Sequence, residues 1–243
     1  MKKMMFLSLL CSLMLLTSCK LQFDNVIEPS NNIVSREYTL KRPFDKVDID
    51  VIANVKFLQI PDSNYRVVLS CPDNYVELFK FNSENSELEV EFVRNNVNID
   101  AENVDITIYA PSLRKLENDG VASVEIDRLA GDELKVENSG VGKIYVQGLK
   151  LRKLDAECSG VGGMELAGEA EEVGLECSGV GGIDAMQLKG KYVQAEVSGV
   201  GSVKCFASES IKGTVSGVGS LTFGGHPHQQ SVSRTGVGGI NEE

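Results

Sequence analysis

The chain has 243 residues, is 42% hydrophobic and 24% charged, and carries a formal charge of −11. That is enough for one large or two small domains with an ordinary core. The acidic balance excludes a nucleic-acid binder, which would present a basic stripe to phosphates.

Residues 1–18 read as a signal peptide. Lys2 and Lys3 give a basic start, and Phe6 to Leu16 is an apolar run too short to span a bilayer. Leu16-Thr-Ser-Cys19 comes next and resembles the lipobox of bacterial lipoproteins, where cleavage precedes the Cys and the Cys is acylated. An ordinary secretory signal or an uncleaved anchor is the alternative. The resemblance implies lipidation at Cys19 and a membrane as partner, since two acyl chains anchor stably. Lys20 stands where Asp would imply inner-membrane retention. The expected address is therefore the outer membrane, on its periplasmic or cell-surface face.

Residues 19–35 are polar, include Pro29-Ser-Asn-Asn32, and are expected to be a tether. Residues 36–111 read as an N-terminal β region. Val47 to Val51, Leu88 to Phe92 and Val104 to Ile108 alternate with period two. Asn82 to Ser86 predicts a hairpin turn, and Tyr75 to Lys80 could form one helical turn. This region either caps the C-terminal repeats or forms earlier, less regular coils.

Residues 112–243 repeat one tetrapeptide. SGVG occurs at 139, 159, 178, 198 and 216, with variants at Asp119 and Thr235. The first glycines of the units are Gly120, Gly140, Gly160, Gly179, Gly199, Gly217 and Gly236, 18 to 20 residues apart. Seven units at one period predict a solenoid. The expected fold is all-β: a single-stranded parallel β-helix with coils of about 19–20 residues and less regular N-terminal strands. Two residues before each glycine stand Asn118, Asn138, Cys158, Cys177, Val197, Val215 and Arg234, expected to face inward. Leu134 and Val136 continue that face by alternation, as do Ile144 and Val146 beyond the turn. The invariant Val of the motif is expected to plug the core at the corner, between glycines that let the backbone bend. The Ser is expected to bond its own turn.

Candidate chemistry is sparse. Gly-x-Gly here lacks the third glycine and the following helix of a dinucleotide site. A calcium-binding β-roll would have about half this period. Three residues before the glycines stand Glu117, Glu137, Glu157, Glu176 and Glu196. In register they would form an outward row, either a stripe for cations or a cationic partner, or a solvated face relieved by Lys115, Lys135 and Lys153. Cys158 and Cys177 sit one coil apart and read as buried thiols rather than a disulfide. Cys71 and Cys205 complete the thiols of the mature chain, and none has zinc-ligand spacing. His226-Pro-His228 has no clear third ligand. No catalytic residues, metal or cofactor are assigned.

The chain resembles the family of the putative auto-transporter adhesin, head GIN domain. The stretches that carry this are Arg42 to Ile49 (RPFDKVDI), Val104 to Leu113 (VDITIYAPSL), the SGVG units and Gly238 to Asn241 (GGIN). The likeness spans Tyr38 to Ile240. It implies a β-helix at the cell envelope and a role in adhesion, and transfers no residue roles. The expected function is a non-catalytic, adhesin-like lipoprotein presenting a surface to a carbohydrate or an envelope protein, with a homo-oligomer left open. A polysaccharide-binding or polysaccharide-cleaving protein and an envelope assembly factor are the alternatives.

Overall fold

The computed structural model describes residues 26–243. The expected signal peptide and lipidation at Cys19 lie outside the described residues.

The repeat winds as predicted. Strand makes up 70% of the structure and helix 3%, in a β-solenoid of about six turns with coils of about 20 residues. Strand β8 (Lys115–Asn118) leads through the first corner into β9 (Val121–Ile126), then β10 (Leu129–Ala130) and β11 (Glu133–Asn138). The next four strands are long and bend around the coil: β12 (Val141–Cys158), β13 (Val161–Cys177), β14 (Val180–Val197) and β15 (Val200–Val215). Shorter β16 (Val218–Gly224) and β17 (Gln229–Arg234) make the last full coil, and β18 (Val237–Glu242) stacks on β16 to begin another. Each pairs in parallel with its neighbour one coil on, and around the corner equivalent residues face each other: Val141 faces Val161 and Cys158 faces Cys177, while bulges beyond Val146, Glu165 and Ala185 absorb the differences in coil length.

Register sorts the side chains into columns. Asn118, Asn138, Cys158, Cys177, Val197 and Val215 are all buried, and Arg234 at the open last coil is exposed. Leu134, Val136, Ile144 and Val146 and their equivalents line the same core. Each buried aliphatic side chain contributes roughly 1.5–3 kcal/mol, and only the stack as a whole can bury them.

The corner corrects two expectations. The Val of the motif does not plug the core. Val121, Val141, Val161, Val180, Val200, Val218 and Val237 are 47 to 74% exposed and form an outward ladder. The inside of the corner belongs to glycine, because neighbouring coils approach too closely there for a side chain. A Cβ at Gly160 would lie 2.0 Å from the carbonyl oxygen of Gly140. Nor does the motif's Ser close its own turn. The N–H groups of Ser139 and Gly140 both donate to Asn118 O of the preceding coil, at 3.0 and 2.8 Å. Ser139 and Ser159 stack hydroxyl to hydroxyl at 3.3 Å.

The N-terminal region is both cap and coil. Strands β2 (Lys46–Asp50) and β3 (Ile52–Gln59) form a coil under β8 and β9, with Val47 opposite Leu116 and Ile52 opposite Val121. On their other side stack β6 (Glu87–Phe92) and β7 (Asp105–Ala110), again in parallel. Along the axis the order is thus 87–110, then 46–59, then 115 onward. Antiparallel strands close this end: β5 (Phe79–Glu84) on β6, β4 (Arg66–Pro72) on β7, and β1 (Ile33–Thr39) on β4. The predicted hairpin forms between β5 and β6, with Asn85 and Ser86 at positive φ. The helical turn is a short 3-10 helix at Asp73–Leu78.

Within the expected tether, residues 26–35 lie against the fold. Ile27 bridges Ile99, Ser30 Oγ donates to Asp73 Oδ1 at 2.5 Å, and β1 begins at Ile33.

Candidate functional site

The side that precedes the SGVG corner carries the acidic row. Glu117, Glu137, Glu157, Glu176 and Glu196 stand opposite one another in unbroken register. The row is longer than the repeat announced. Asp48 pairs with Glu117, and Glu89 with Asp48. The signal was present in the alternating Asp48-Ile-Asp50 and Glu89-Val-Glu91, but without a glycine corner to align them.

Two halves of the row differ electrostatically. At the N-terminal half, lysines two residues away interleave with the acids. Lys115 pairs with Glu117 and reaches Glu137 at 2.8 Å; Lys135 lies 2.5 Å from Glu137 and 3.8 Å from Glu157. Burial pushes the Glu137 carboxyl up, but the two lysines outweigh it and hold it below the usual range. Asp48 has no such relief. Burial, then Glu117, Asp119, Glu87 and Asp50, push it up to about 6. At the C-terminal half no lysine or arginine pairs with Glu176 or Glu196 among the described residues. Burial, with Glu157 and Glu196 on either side, raises Glu176.

This unrelieved half borders a groove of about 640 Å³. Its floor is the column Asp155, Gly174, Gln194 and Lys212. Gly174 leaves that column one side chain short, and the Asp155 carboxylate leans into the space, 2.6 Å from where a Cβ would stand. One wall is Glu157, Glu176 and Glu196. The other is Lys153, Glu172, Tyr192 and Ser210. Tyr192 is 54% exposed, the one aromatic among the exposed large apolar side chains of the described residues. Nothing in the repeat pattern singles it out, because it occupies a column otherwise filled by Glu, Lys, Ser and Gln.

The other candidates do not assemble into chemistry. Among the described residues no three His, Cys, Asp or Glu side chains come together as a metal-binding group. His226 Nδ1 lies 3.4 Å from Glu242 Oε1 on an exposed loop, and His228 is exposed beyond it. Cys71, Cys158, Cys177 and Cys205 are buried and free. Burial pushes Cys71 up to about 11 and Cys205 up to about 12, far from the thiolates that nucleophilic chemistry needs.

The sequence pattern of one protein family, described as putative auto-transporter adhesin, head GIN domain, matches residues 43–227. The chain belongs to this family. A putative adhesin from Bacteroides fragilis is 33% identical, with a TM-score of 0.86 over 89% of this chain and 100% of its own. A putative lipid binding protein from Parabacteroides distasonis (17% identity, TM-score 0.73, 90% and 100% covered) shares the fold. So does a putative adhesin from Parabacteroides merdae (19%, 0.66, 90% and 99%). No curated protein matches. The family and the Bacteroides fragilis relative support a non-catalytic, adhesin-like role associated with the cell envelope or surface. Among the described residues no helix is long and apolar enough to cross a membrane.

Proposed function

We propose that this adhesin-like protein is a lipoprotein of the outer membrane, held through Cys19, whose solenoid presents a binding surface to a carbohydrate or an envelope protein. The observation that carries the reading is register. Because equivalent residues on the strands that lead into the corner stack coil on coil, the outward columns there run as rows along the axis, as in the row from Glu117 to Glu196. A rigid surface of repeated groups suits an extended, repetitive partner. Among the described residues the four thiols are buried and the two histidines stand exposed on one loop, which supports a non-catalytic reading.

Protease shaving of intact cells, followed by immunoblotting, tests it. Loss of the protein from intact cells supports display at the surface. Digestion only after lysis removes adhesion and leaves a periplasmic partner. A Cys19→Ala variant should leave the membrane fraction, and retention there would overturn lipid anchoring.

A further inference from the structure

We propose that the groove over Gly174 is a saccharide subsite, which takes an uncharged pyranose chain lying along the solenoid axis with one ring against Tyr192. The inference rests on the adhesin-like reading and names the chemistry of the surface that serves it.

Three features converge. First, the groove follows a line of columns, so a ligand in it crosses successive coils at about 4.8 Å intervals and meets a new set of side chains at each. Second, its polar groups are mixed. Glu157, Glu172, Glu176 and Glu196 accept hydrogen bonds, while Lys153, Lys212, Gln194 and Ser210 donate them. Hydroxyl groups satisfy both kinds, since each donates once and accepts twice. A cationic peptide would satisfy the acids alone and leave the donors of Gln194, Ser210 and Lys212 without acceptors. An anionic glycan would face five carboxylates against three lysines around the groove. Third, Tyr192 offers an exposed flat apolar face beside those groups, at the cost of leaving an aromatic ring half in water. The C–H face of a pyranose ring is the complement of such a platform.

The gap at Gly174 gives the subsite its depth. Restoring a side chain there would displace only the flexible Asp155 carboxylate, not backbone. The raised carboxyl of Glu176 fits a group that has lost water without gaining a lysine partner.

The test is titration calorimetry of the soluble protein, residues 26–243 with the same fold checked by circular dichroism, against cellohexaose, mannohexaose and N-acetylchitohexaose. Hexagalacturonate and hexalysine are the charged controls. The expected result is binding of at least one neutral hexasaccharide with Kd below about 1 mM. Tyr192→Ala should weaken that by about tenfold or more, Tyr192→Phe by no more than about twofold, and Gly174→Gln should abolish it by filling the floor. A neutral saccharide bound equally well by Tyr192→Ala would overturn the site while leaving the adhesin-like reading intact. Binding of hexalysine or hexagalacturonate alone, or no binding of any probe, would overturn the proposal. A periplasmic result from protease shaving, by contrast, would remove adhesion and leave saccharide binding standing.

Discussion

Asn118 and Asn138, one coil apart and both fully buried, are joined inside the core: Asn118 Nδ2 donates to Asn138 Oδ1 at 2.9 Å. Asn138 Nδ2 then donates to Gly142 O of its own corner at 3.1 Å. Cys158 and Cys177 continue the column, with sulfur 4.0 and 3.8 Å from the equivalent carbonyls of Gly162 and Gly181. The column thus passes from amide to thiol to Val, with Asn138, Cys158 and Cys177 turned to the corner carbonyls.

Asn138 is therefore the costly member to remove. Asn138→Ala strips a partner from the buried Asn118 amide and from Gly142 O, and leaves a cavity. A loss of about 2–4 kcal/mol in urea unfolding is expected. Asn138→Cys, which copies the next coil, should lose less. Equal losses would mean that the amide ladder contributes nothing beyond volume.

Adjacent residues of the motif should respond oppositely. A Cβ at Gly162, where φ is +148°, would stand 1.8 Å from Gly142 O. Gly162→Ala should cost about 3 kcal/mol or more, or prevent folding. Val161, half exposed on the ladder, should accept Thr for less than about 1 kcal/mol. Thermal unfolding of the two variants side by side checks the contrast, which reverses if Val161 is the anchoring residue.

Asp48 sets a pH dependence. Its folded pKa of about 6 lies above the 3.8 of an unperturbed Asp. The native state therefore holds the proton longer, and this residue's contribution to stability falls as pH rises from about 4 to about 6. The penalty is complete above that window and absent below it. Asp48 Oδ1 is also buried without a hydrogen-bond partner. Asp48→Asn should stabilise the protein at pH 7 by about 1 kcal/mol, a figure reduced for the screening of a half-buried group, and by nothing near pH 3.5. Urea midpoints at the two pH values measure it; a gain independent of pH would assign the effect to packing.

The thiols should behave as core atoms. Iodoacetamide at pH 8 is expected to leave Cys71, Cys158, Cys177 and Cys205 unmodified in the folded protein and to modify all four in denaturant without reductant. Mass spectrometry counts the adducts. Two sites that resist until a reductant is added would reveal a disulfide between Cys158 and Cys177.

Much of the architecture was legible because one spacing recurs. Glycines 18 to 20 residues apart defined the coil, and alternation from Asn118 to Val215 located the core. The same alternation, carried across the corner, puts the motif's Val on the outside. Its hydrophobicity pointed inward and misled, since an extended residue between two glycines takes its direction from backbone parity and not from its side chain. The extra acids Asp48 and Glu89 escaped because the first coils have no repeated corner to set their register. The groove was hidden for another reason. Gly174 and Tyr192 interrupt their columns, and a repeat read by its consensus discards the departures on which a particular surface depends.

The order of coils also sets a direction of growth. Strands β2 and β3 are enclosed by strands that come later in the chain, β6 and β7 on one side and β8 and β9 on the other. The first regular coil has no floor until that N-terminal unit has gathered segments far apart in sequence, a step whose loop-closure cost makes it slow. Every later coil adds beside its predecessor. The irregular end is thus the seed of the solenoid. Trimming the chain from its last coil shortens the stack by degrees, while cutting into residues 33–110 removes the template on which the whole stack forms.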